Sequence, residues 1–267
     1  MNDHGGTSDV SGRNGQYSIL IEYTFKLVHR DHPPDVGSSG LGLQALIEFT
    51  KQSENNIILV IGCRNPDNPS FSTALNGLEK IQKLDIFALD LASQDSIRAF
   101  ASHVLDTYPQ QISVLLLCAG AILSTRSVDS PGIERTLQIN VMSQALLLQC
   151  LWTRLVESGN HQKQSSRVVF VGSSMHRSAA QRYNVSPSSI EALLDNKRWK
   201  SIPAYSISKL VQMHLFQIVV EAFANVQANE PHPVAIAVSP GNNLQCIDPT
   251  EKSLSNLRPQ DLYPKQA

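Results

Sequence analysis

Short apolar runs rich in β-branched residues alternate with helical patterns along most of this chain. The runs cover residues 57–61, 85–89, 114–117, 168–171 and 234–238. Such runs are typical of strands, and a helix that joins two parallel strands makes a right-handed crossover. The alternation therefore predicts an α/β fold, in which a doubly wound parallel sheet carries helices on both faces.

Two of the predicted helices lie between these strands. Ser93 is placed to cap a helix that carries Ile97, Phe100 and Val104 on one face. A longer helical pattern covers residues 132–156 and contains an asparagine at position 140. Both segments are long enough to cover one face of the predicted sheet.

The last predicted helix runs from about Tyr205 to about Ala224 and carries a tyrosine and a lysine four residues apart. Tyr205 and Lys209 would share one face of that helix. A tyrosine loses its proton near pH ~10, and an adjacent ammonium lowers that pKa, which suits acid-base catalysis. A solvated surface pair is the commoner reading of this spacing, so the surroundings must decide. The apolar side of the helix consists of Leu210, Met213, Phe216, Val219, Val220 and Phe223.

Composition argues against two classes of partner. The chain has 267 residues, a net charge of -1 and no block of lysine and arginine residues. It lacks the basic surface that nucleic-acid binding needs, and we expect no nucleic-acid partner. The apolar runs are much shorter than the roughly 20 residues of a spanning helix, which predicts no membrane span.

The cysteines and the amino-terminal residues indicate a cellular compartment. Cys63, Cys118, Cys150 and Cys246 lack the paired spacing of metal ligands, so we expect reduced thiols and no metal site. The first residues are polar, without the apolar centre of a secretory signal. Both observations predict a cytoplasmic location.

Polar and glycine-rich motifs stand next to the predicted strands. The segment 36–42 is rich in glycine and precedes a helix, whose first N–H groups suit a bound phosphate. A flexible loop before a helix has the same composition. Other polar or glycine residues of these motifs follow the predicted strands: Arg64, Asp90, Gly120, Ser174 and Gly241. The carboxyl ends of parallel strands form one edge, and ligands bind at this edge in such sheets.

Taken in order, these motifs resemble the short-chain dehydrogenase/reductase family over roughly residues 37–241. Within it the chain is similar to retinol dehydrogenase-like proteins and to fungal and plant carbonyl reductases. The residues that carry the resemblance are Gly40 and Gly42, Asp90 and Leu91, Ala119 and Gly120, Asn140, Ser174, Tyr205 with Lys209, and Pro240 with Gly241. The resemblance implies a Rossmann-like fold.

The resemblance also implies a catalytic tetrad. Tyr205 would exchange a proton with the substrate oxygen, and Lys209 would lower the tyrosine pKa and hold the nicotinamide ribose. Ser174 would bind the carbonyl oxygen, and Asn140 would complete a proton relay. The family places the catalytic serine second in a Ser-Ser pair, which favours Ser174 over Ser173.

A second set of residues is implied to bind the cofactor: Gly37, Ser39, Gly40, Leu41, Gly42, Arg64, Asn65, Asp90, Leu91, Ala119, Gly120, Tyr205, Lys209, Pro240 and Gly241. Cys63, Arg64 and Asn65 resemble the Cys-Arg-Asn motif of members that prefer NADP(H). An arginine can pair with a 2′-phosphate, so we expect NADP(H) to be preferred over NAD(H). The alternative is an ordinary surface arginine.

The two ends of the chain depart from the family pattern. Asp35 and Val36 stand in place of Thr-Gly, and Cys118 stands in place of the Asn of Asn-Ala-Gly. We expect residues 1–35 to be an atypical segment that is either disordered or a displaced strand, with its apolar patch at 19–28. Residues 36–241 would form the NAD(P)-binding domain, and residues 242–267 an irregular, shortened tail. The first strand and the carboxyl-terminal elements are thus expected to be atypical or missing.

The sequence therefore predicts an NADP(H)-dependent oxidoreductase that reduces a carbonyl or oxidises an alcohol by hydride transfer. The long interval between Ser174 and Tyr205, with Trp199, Ile202 and Pro203, resembles that of relatives with lipophilic substrates. The partners implied are a small molecule and a second copy in a homodimer or homotetramer. The alternative is a catalytically weak or inactive binding or scaffold protein with the same fold.

Overall fold

The computed structural model describes residues 16–22, 25–27, 41–108, 112–129, 132–162, 165–183, 195, 197–226 and 232–240. The strands in this part of the chain are β1 (Gln16–Glu22), β2 (Phe25–Leu27), β3 (Asn56–Cys63), β4 (Ile81–Ala88), β5 (Val114–Leu117), β6 (Gly120–Ile122), β7 (Val128–Asp129), β8 (Ile133–Glu134), β9 (Arg167–Val171) and β10 (Val234–Val238). The helices are α1 (Leu41–Gln52), α2 (Pro69–Leu75), α3 (Gln94–Thr107), α4 (Arg135–Leu137), a π-helical turn (Gln138–Met142), α5 (Ser143–Gln162), α6 (Met175–Tyr183) and α7 (Ser201–Ala224).

Six of these strands form one sheet in the order β10-β9-β5-β1-β3-β4, and all neighbours are parallel. Successive side chains of a strand point to opposite faces, and β3 shows this pattern. Ile57, Leu59 and Ile61 pack with α1 and α2, whereas Val60 belongs to the cluster that contains α3, α5 and α7. The predicted doubly wound α/β sheet is confirmed.

The first strand is present and central in the sheet, so it is not missing, but it lies further upstream of the glycine-rich segment than the family pattern places it. β1 pairs with β3 from Gln16 opposite Asn56, and with β5 from Ile19 opposite Val114. The family pattern has this strand directly before the glycine-rich segment, but pairing with two neighbours determines where a strand lies. A longer connection between β1 and α1 adds little entropic cost.

β2 extends this pairing beyond the main sheet. Phe25 lies opposite Gly120, in the same register in which Glu22 lies opposite Leu117. The predicted strand at 19–28 is therefore two strands, β1 and β2, on one line. They continue past the carboxyl edge, the side of the sheet on which the site residues were predicted.

The predicted helices differ in how well they match the structure. α3 begins after Ser93, whose hydroxyl accepts a hydrogen bond from the Ser96 N–H at 3.2 Å, as expected of a cap. The pattern at 132–156 is not one helix, because Glu134 has an extended backbone and caps the short α4, and a π-helical turn follows. In α7, Val220 is exposed rather than on the buried side.

Helix α7 also bears on the prediction that the chain has no membrane span. Its length and a mean hydropathy of 1.2 meet the requirements of a spanning helix. Phe216, Val219 and Phe223 nevertheless lie in the core cluster with α3 and α5. Since core helices of the same composition are common, the absence of a span stays a prediction.

Candidate active site

Tyr205 and Lys209 lie in the first half of α7 and are both buried, with exposed fractions of 8% and 3%. The lysine Nζ lies 5.8 Å from the centre of the tyrosine ring. The helical spacing of the pair therefore brings the two side chains together, as the sequence predicted. A solvated surface pair is excluded by their burial.

Ser173, which follows β9, is in hydrogen-bonding contact with the phenol of Tyr205. Ser174 is exposed, and its carbonyl accepts a bond from the Arg177 N–H at 3.1 Å. The choice of Ser174 as the catalytic serine stays a prediction, and Ser173 is a second candidate beside the phenol.

The turn that carries Ser173 is braced locally. The serine carbonyl accepts a hydrogen bond from Nδ1 of His176 at 2.6 Å, and the serine hydroxyl accepts one from the Met175 N–H at 3.3 Å. His176 thus has a structural part in this turn. Because a carbonyl oxygen can only accept a hydrogen bond, Nδ1 of His176 must carry a proton.

The pKa of Tyr205 is raised above its ordinary value. Burial is the larger cause, because it penalises the phenolate, and the hydrogen bond with Ser173 offsets part of this effect. The lowering by Lys209 that the resemblance implied is not seen. The ammonium instead donates to the Val171 carbonyl at 2.9 Å and to Oε1 of Gln212 at 3.1 Å.

Asn140 connects the ends of two elements. It is fully buried in the π-helical turn, where Oδ1 accepts from the Ala121 N–H at 2.7 Å and Nδ2 donates to the Ala121 carbonyl at 3.0 Å. Nδ2 also donates to Oγ of Ser208 at 2.8 Å. Asn140 therefore holds β6 against α7 next to the Tyr205 pair. The sequence did not indicate Ser208, although it directly precedes Lys209.

Gly120 lies at the centre of this cluster. A methyl group in place of its hydrogen would lie 3.5 Å from Nζ of Lys209 and 3.6 Å from Oδ1 of Asn140. The two preceding residues, Ala119 and Cys118, are also buried, with exposed fractions of 0% and 5%. The end of β5 and the start of β6 thus contact the proposed catalytic side chains through their backbone.

Two buried glutamines also belong to this cluster and were not found from the sequence. Gln212 donates through Nε2 to Oε1 of Gln144 at 2.7 Å, and Gln144 donates through Nε2 to the Ala119 carbonyl at 3.2 Å. Both side chains are fully buried. Their only signal in the sequence is the helical spacing of Gln212 from Lys209 and of Gln144 from Asn140.

The cofactor residues predicted at the ends of β3 and β4 lie side by side. The Leu89 N–H donates to the Cys63 carbonyl at 2.8 Å, which joins the two strand ends. Arg64, Asn65 and Asp90 are exposed there.

Asp90 is partly engaged within its own turn. Its Oδ1 accepts from the Ala92 N–H at 3.0 Å, and its own N–H donates to Oγ of Ser96 at 2.9 Å. The next residue, Leu91, is 1% exposed and packs in the core. Asp90 therefore stabilises the turn at the edge of the site, and Leu91 packs in the core beneath that turn.

The remaining predicted cofactor residues are described only in part. Leu41 and Gly42 open α1, and Pro240 follows β10. Gly37, Ser39, Gly40 and Gly241 lie outside the described residues, as does the tail at 242–267.

A buried carboxylate fastens the segment that precedes α7. Glu134 is 1% exposed, and its Oε1 accepts from the Trp199 indole at 3.1 Å and from the Thr136 hydroxyl at 2.9 Å. Its Oε2 accepts from the Leu137 N–H at 3.1 Å. The Ser201 hydroxyl donates to the Leu123 carbonyl. These bonds attach the long interval before Tyr205 to the region after β6.

Among the residues that the structure describes, no group of three His, Cys, Asp or Glu side chains could hold a metal ion.

Comparison with known proteins assigns the chain to a family. The family model for short chain dehydrogenases matches residues 36–195. The short chain dehydrogenase atnD of Emericella nidulans is 28% identical over 213 residues, which are 77% of this chain and 64% of that protein. The short-chain dehydrogenase/reductase phmF of Phaeosphaeria nodorum is 28% identical over 66% of this chain and 52% of its own length. The chain thus spans between half and two thirds of the length of these relatives.

Solved structures agree on the fold. A crystal structure of the NADH-dependent reductase A1-R′ complexed with NAD has a TM-score of 0.57 at 18% identity, over 78% of this chain and 73% of that one. A metagenomic short-chain oxidoreductase in complex with NADP has a TM-score of 0.57 at 16% identity, over 84% of this chain and 82% of that one. With the family model covering more than half of its residues, the chain belongs to the short-chain dehydrogenase family.

Proposed function

We propose that this protein is an NADP(H)-dependent oxidoreductase that interconverts a carbonyl and an alcohol on a small, lipophilic substrate. The observation that carries the proposal is the cluster of buried Tyr205, Lys209 and Asn140 with half-buried Ser173 at the carboxyl edge of the sheet. Family membership and the NAD-bound and NADP-bound structural neighbours support it. The same edge suits a dinucleotide, since Gly120 adds no side chain beside Lys209.

In this mechanism Tyr205 transfers the proton. A bound nicotinamide supplies or accepts the hydride. Because burial raises its pKa, the phenol stays protonated at neutral pH and can protonate the carbonyl oxygen during reduction. In the reverse direction, the phenolate accepts the alcohol proton, which favours alkaline pH. The Ser173 hydroxyl, bonded to the phenol, is placed to donate to the same oxygen.

The test of this proposal is turnover of lipophilic ketones by the purified protein with NADPH. We expect Tyr205→Phe to lower kcat by at least about a hundredfold, since general acid catalysis contributes about 10²- to 10⁴-fold. Tyr108→Phe is the matched control, because its phenol contacts Lys83 and Asp85 rather than the cluster. Unchanged turnover in Tyr205→Phe would refute the mechanism.

Arg64 is the proposed determinant of cofactor preference. Its exposed guanidinium at the end of β3 can pair with a 2′-phosphate. We expect Arg64→Ser to raise KM for NADPH by about tenfold or more, because a bond to a charged group contributes about 1.5–3 kcal/mol. KM for NADH should change by less than about twofold, as it lacks that phosphate. Equal changes for both cofactors would make Arg64 an ordinary surface residue.

Exposed apolar side chains support the substrate class and self-association. Met142 on the π-helical turn and Ile202 at the start of α7 are 43% and 49% exposed on elements in contact with each other. In this proposal Met142 and Ile202 contact the lipophilic substrate.

Further along α7, Ile218 is 61% exposed. In this proposal it lies in the contact between copies of a homodimer or homotetramer, and the protein is cytoplasmic. Light scattering of the purified protein measures that mass, and a monomer would contradict the contact.

A binding or scaffold protein without turnover is the second candidate. The observation that favours it is the pairing of β2 with β6, in which Phe25 lies opposite Gly120. In the family pattern the glycine turn follows the first strand directly, whereas here β2 follows it. Thermal melting with NADPH separates the two, since a ligand that binds only the native state raises the Tm. A Tm rise without turnover would favour the binding protein. No rise at millimolar NADPH would remove NADPH as a ligand and leave a scaffold.

A further inference from the structure

A continuous chain of hydrogen bonds leads from Lys209 into the protein interior. Nζ of Lys209 donates to Oε1 of Gln212, Nε2 of Gln212 donates to Oε1 of Gln144, and Nε2 of Gln144 donates to the Ala119 carbonyl. The three distances are 3.1, 2.7 and 3.2 Å. The chain connects α7 to α5 and α5 to the end of β5.

Each bond in this chain fixes the orientation of the next group. An ammonium only donates, so the oxygen of Gln212 must face it and the nitrogen must point away. That nitrogen requires the oxygen of Gln144, whose own nitrogen then finds the Ala119 carbonyl, which only accepts. Turning either amide would set two donors or two acceptors against each other.

Burial makes this arrangement energetically important. Gln212 and Gln144 are fully buried and Lys209 is 3% exposed. A buried donor or acceptor that loses its partner costs about 1–3 kcal/mol. The amides therefore hold the ammonium in one place between Val171 and Gln212, near the ring of Tyr205.

We propose that Gln212 and Gln144 are positioning residues that hold the Lys209 ammonium at the active site and couple it to the strand end at Ala119. The part that concerns catalysis rests on the proposed function. Both glutamines are fully buried, so in this proposal they act through Lys209 rather than on a bound molecule. Their removal should affect the steps in which Lys209 takes part.

The kinetic test replaces Gln212 by methionine, which has a similar volume and no hydrogen bond. We expect KM for NADPH to rise by about tenfold, the equivalent of one lost buried bond. The loss should fall on KM, while kcat at saturating NADPH should change by less than about twofold, because the glutamines act through a group that binds the cofactor. Gln217→Met, on the exposed side of α7, should leave both values unchanged.

Two further variants separate positioning from simple destabilisation. Gln212→Glu keeps the acceptor for Lys209 but no longer donates to Gln144, so it should recover only part of the NADPH affinity. Gln144→Met should weaken NADPH binding as Gln212→Met does, and the double variant should be little worse than either, since residues in one network are not additive. A wild-type KM for NADPH in a folded Gln212→Met protein would overturn the proposal. Additive losses with no recovery in Gln212→Glu would overturn it as well.

A readout without cofactor keeps the proposal testable if the protein shows no turnover. In ¹H–¹⁵N spectra, Lys209→Met should shift the side-chain amide signals of Gln212 and Gln144 and speed their hydrogen exchange. Lys197→Met, which removes an exposed lysine, should leave these signals unchanged. Unaltered glutamine signals in Lys209→Met would overturn the network itself, whatever the outcome for enzymatic activity.

Discussion

At the scale of single residues, the structure distinguishes two adjacent serines. Ser173 makes a side-chain hydrogen bond with Tyr205, whereas Ser174 is exposed. We therefore expect Ser173, rather than Ser174, to donate to an oxygen that is bound at Tyr205. This difference leads to a direct comparison of two single substitutions.

We expect Ser173→Ala to lower kcat/KM for carbonyl reduction by about a hundredfold, the typical cost of one lost donor to a developing oxyanion. Ser174→Ala is the matched control, since it removes the same atoms from the neighbouring residue. It should change kcat/KM by less than about twofold, because exposed substitutions rarely have larger effects. The reverse ranking would identify Ser174 as the catalytic serine. Equal Tm values would show that neither result reflects unfolding.

The contact between two site residues could be predicted from the sequence where they are one helical turn apart. It could not be predicted where it depends on a turn or on burial. Tyr205 and Lys209 are one helical turn apart, so the sequence alone places them together. The choice between Ser173 and Ser174 depends on backbone angles after β9. Gln144 and Gln212 are far apart in sequence, and polar residues of this type are usually exposed.

At the scale of elements, the packing of α3 on the sheet depends on a glycine. A methyl group at Gly62 in β3 would lie 2.6 Å from Cδ2 of Leu89 and 2.9 Å from the ring of Phe100. Contacts this short require the neighbours to move. Helix α3 can therefore approach β3 closely only because position 62 has no side chain.

We expect Gly62→Ala to lower the free energy of unfolding by about 1–3 kcal/mol, which is typical of overpacking in a core. A denaturant titration measures this change. Gly120→Ala serves as the control for stability, because its nearest contacts at 3.5 Å are ordinary. Phe100→Leu should relieve part of the loss in the Gly62→Ala background. A Gly62→Ala protein as stable as the wild type would show that the helix adjusts freely.

Element boundaries were predictable where a cap is local. Ser93 caps α3 through its own side chain, and its position in the sequence indicated this cap. The break at Glu134 was not predicted, because the carboxylate that caps α4 is also bonded to Trp199, 65 residues away. A contact of that range is invisible to helical periodicity.

At the scale of the whole molecule, stability should depend on alkaline pH through a buried thiol. Burial raises the pKa of Cys63 above its ordinary value, and a backbone hydrogen bond with Asn65 offsets part of this effect. Between the ordinary and the raised value, the folded protein keeps the proton and the unfolded chain releases it. Stability is therefore fully present below about pH 8.5 and falls as pH rises through the folded pKa.

The expected result is a Tm that declines more steeply between pH 8 and pH 9.5 in the wild type than in Cys63→Ala. The variant should be less stable at neutral pH because of the cavity, so the slope is the informative quantity. Cys150→Ala is the control for loss of a thiol elsewhere. The raised pKa of Tyr205 acts in the same direction, but only from about pH 10 upwards. Parallel slopes in wild type and Cys63→Ala would contradict the assignment.

The sequence by itself determined the α/β class, most strands and the pairing of Tyr205 with Lys209, because periodicity and spacing are local properties. The tertiary structure decided that β1 is the central strand, since only pairing with β3 and β5 defines that position. It also decided that Ser173 contacts the phenol and that two glutamines hold Lys209. These arrangements depend on contacts between distant segments and on which polar groups are buried together.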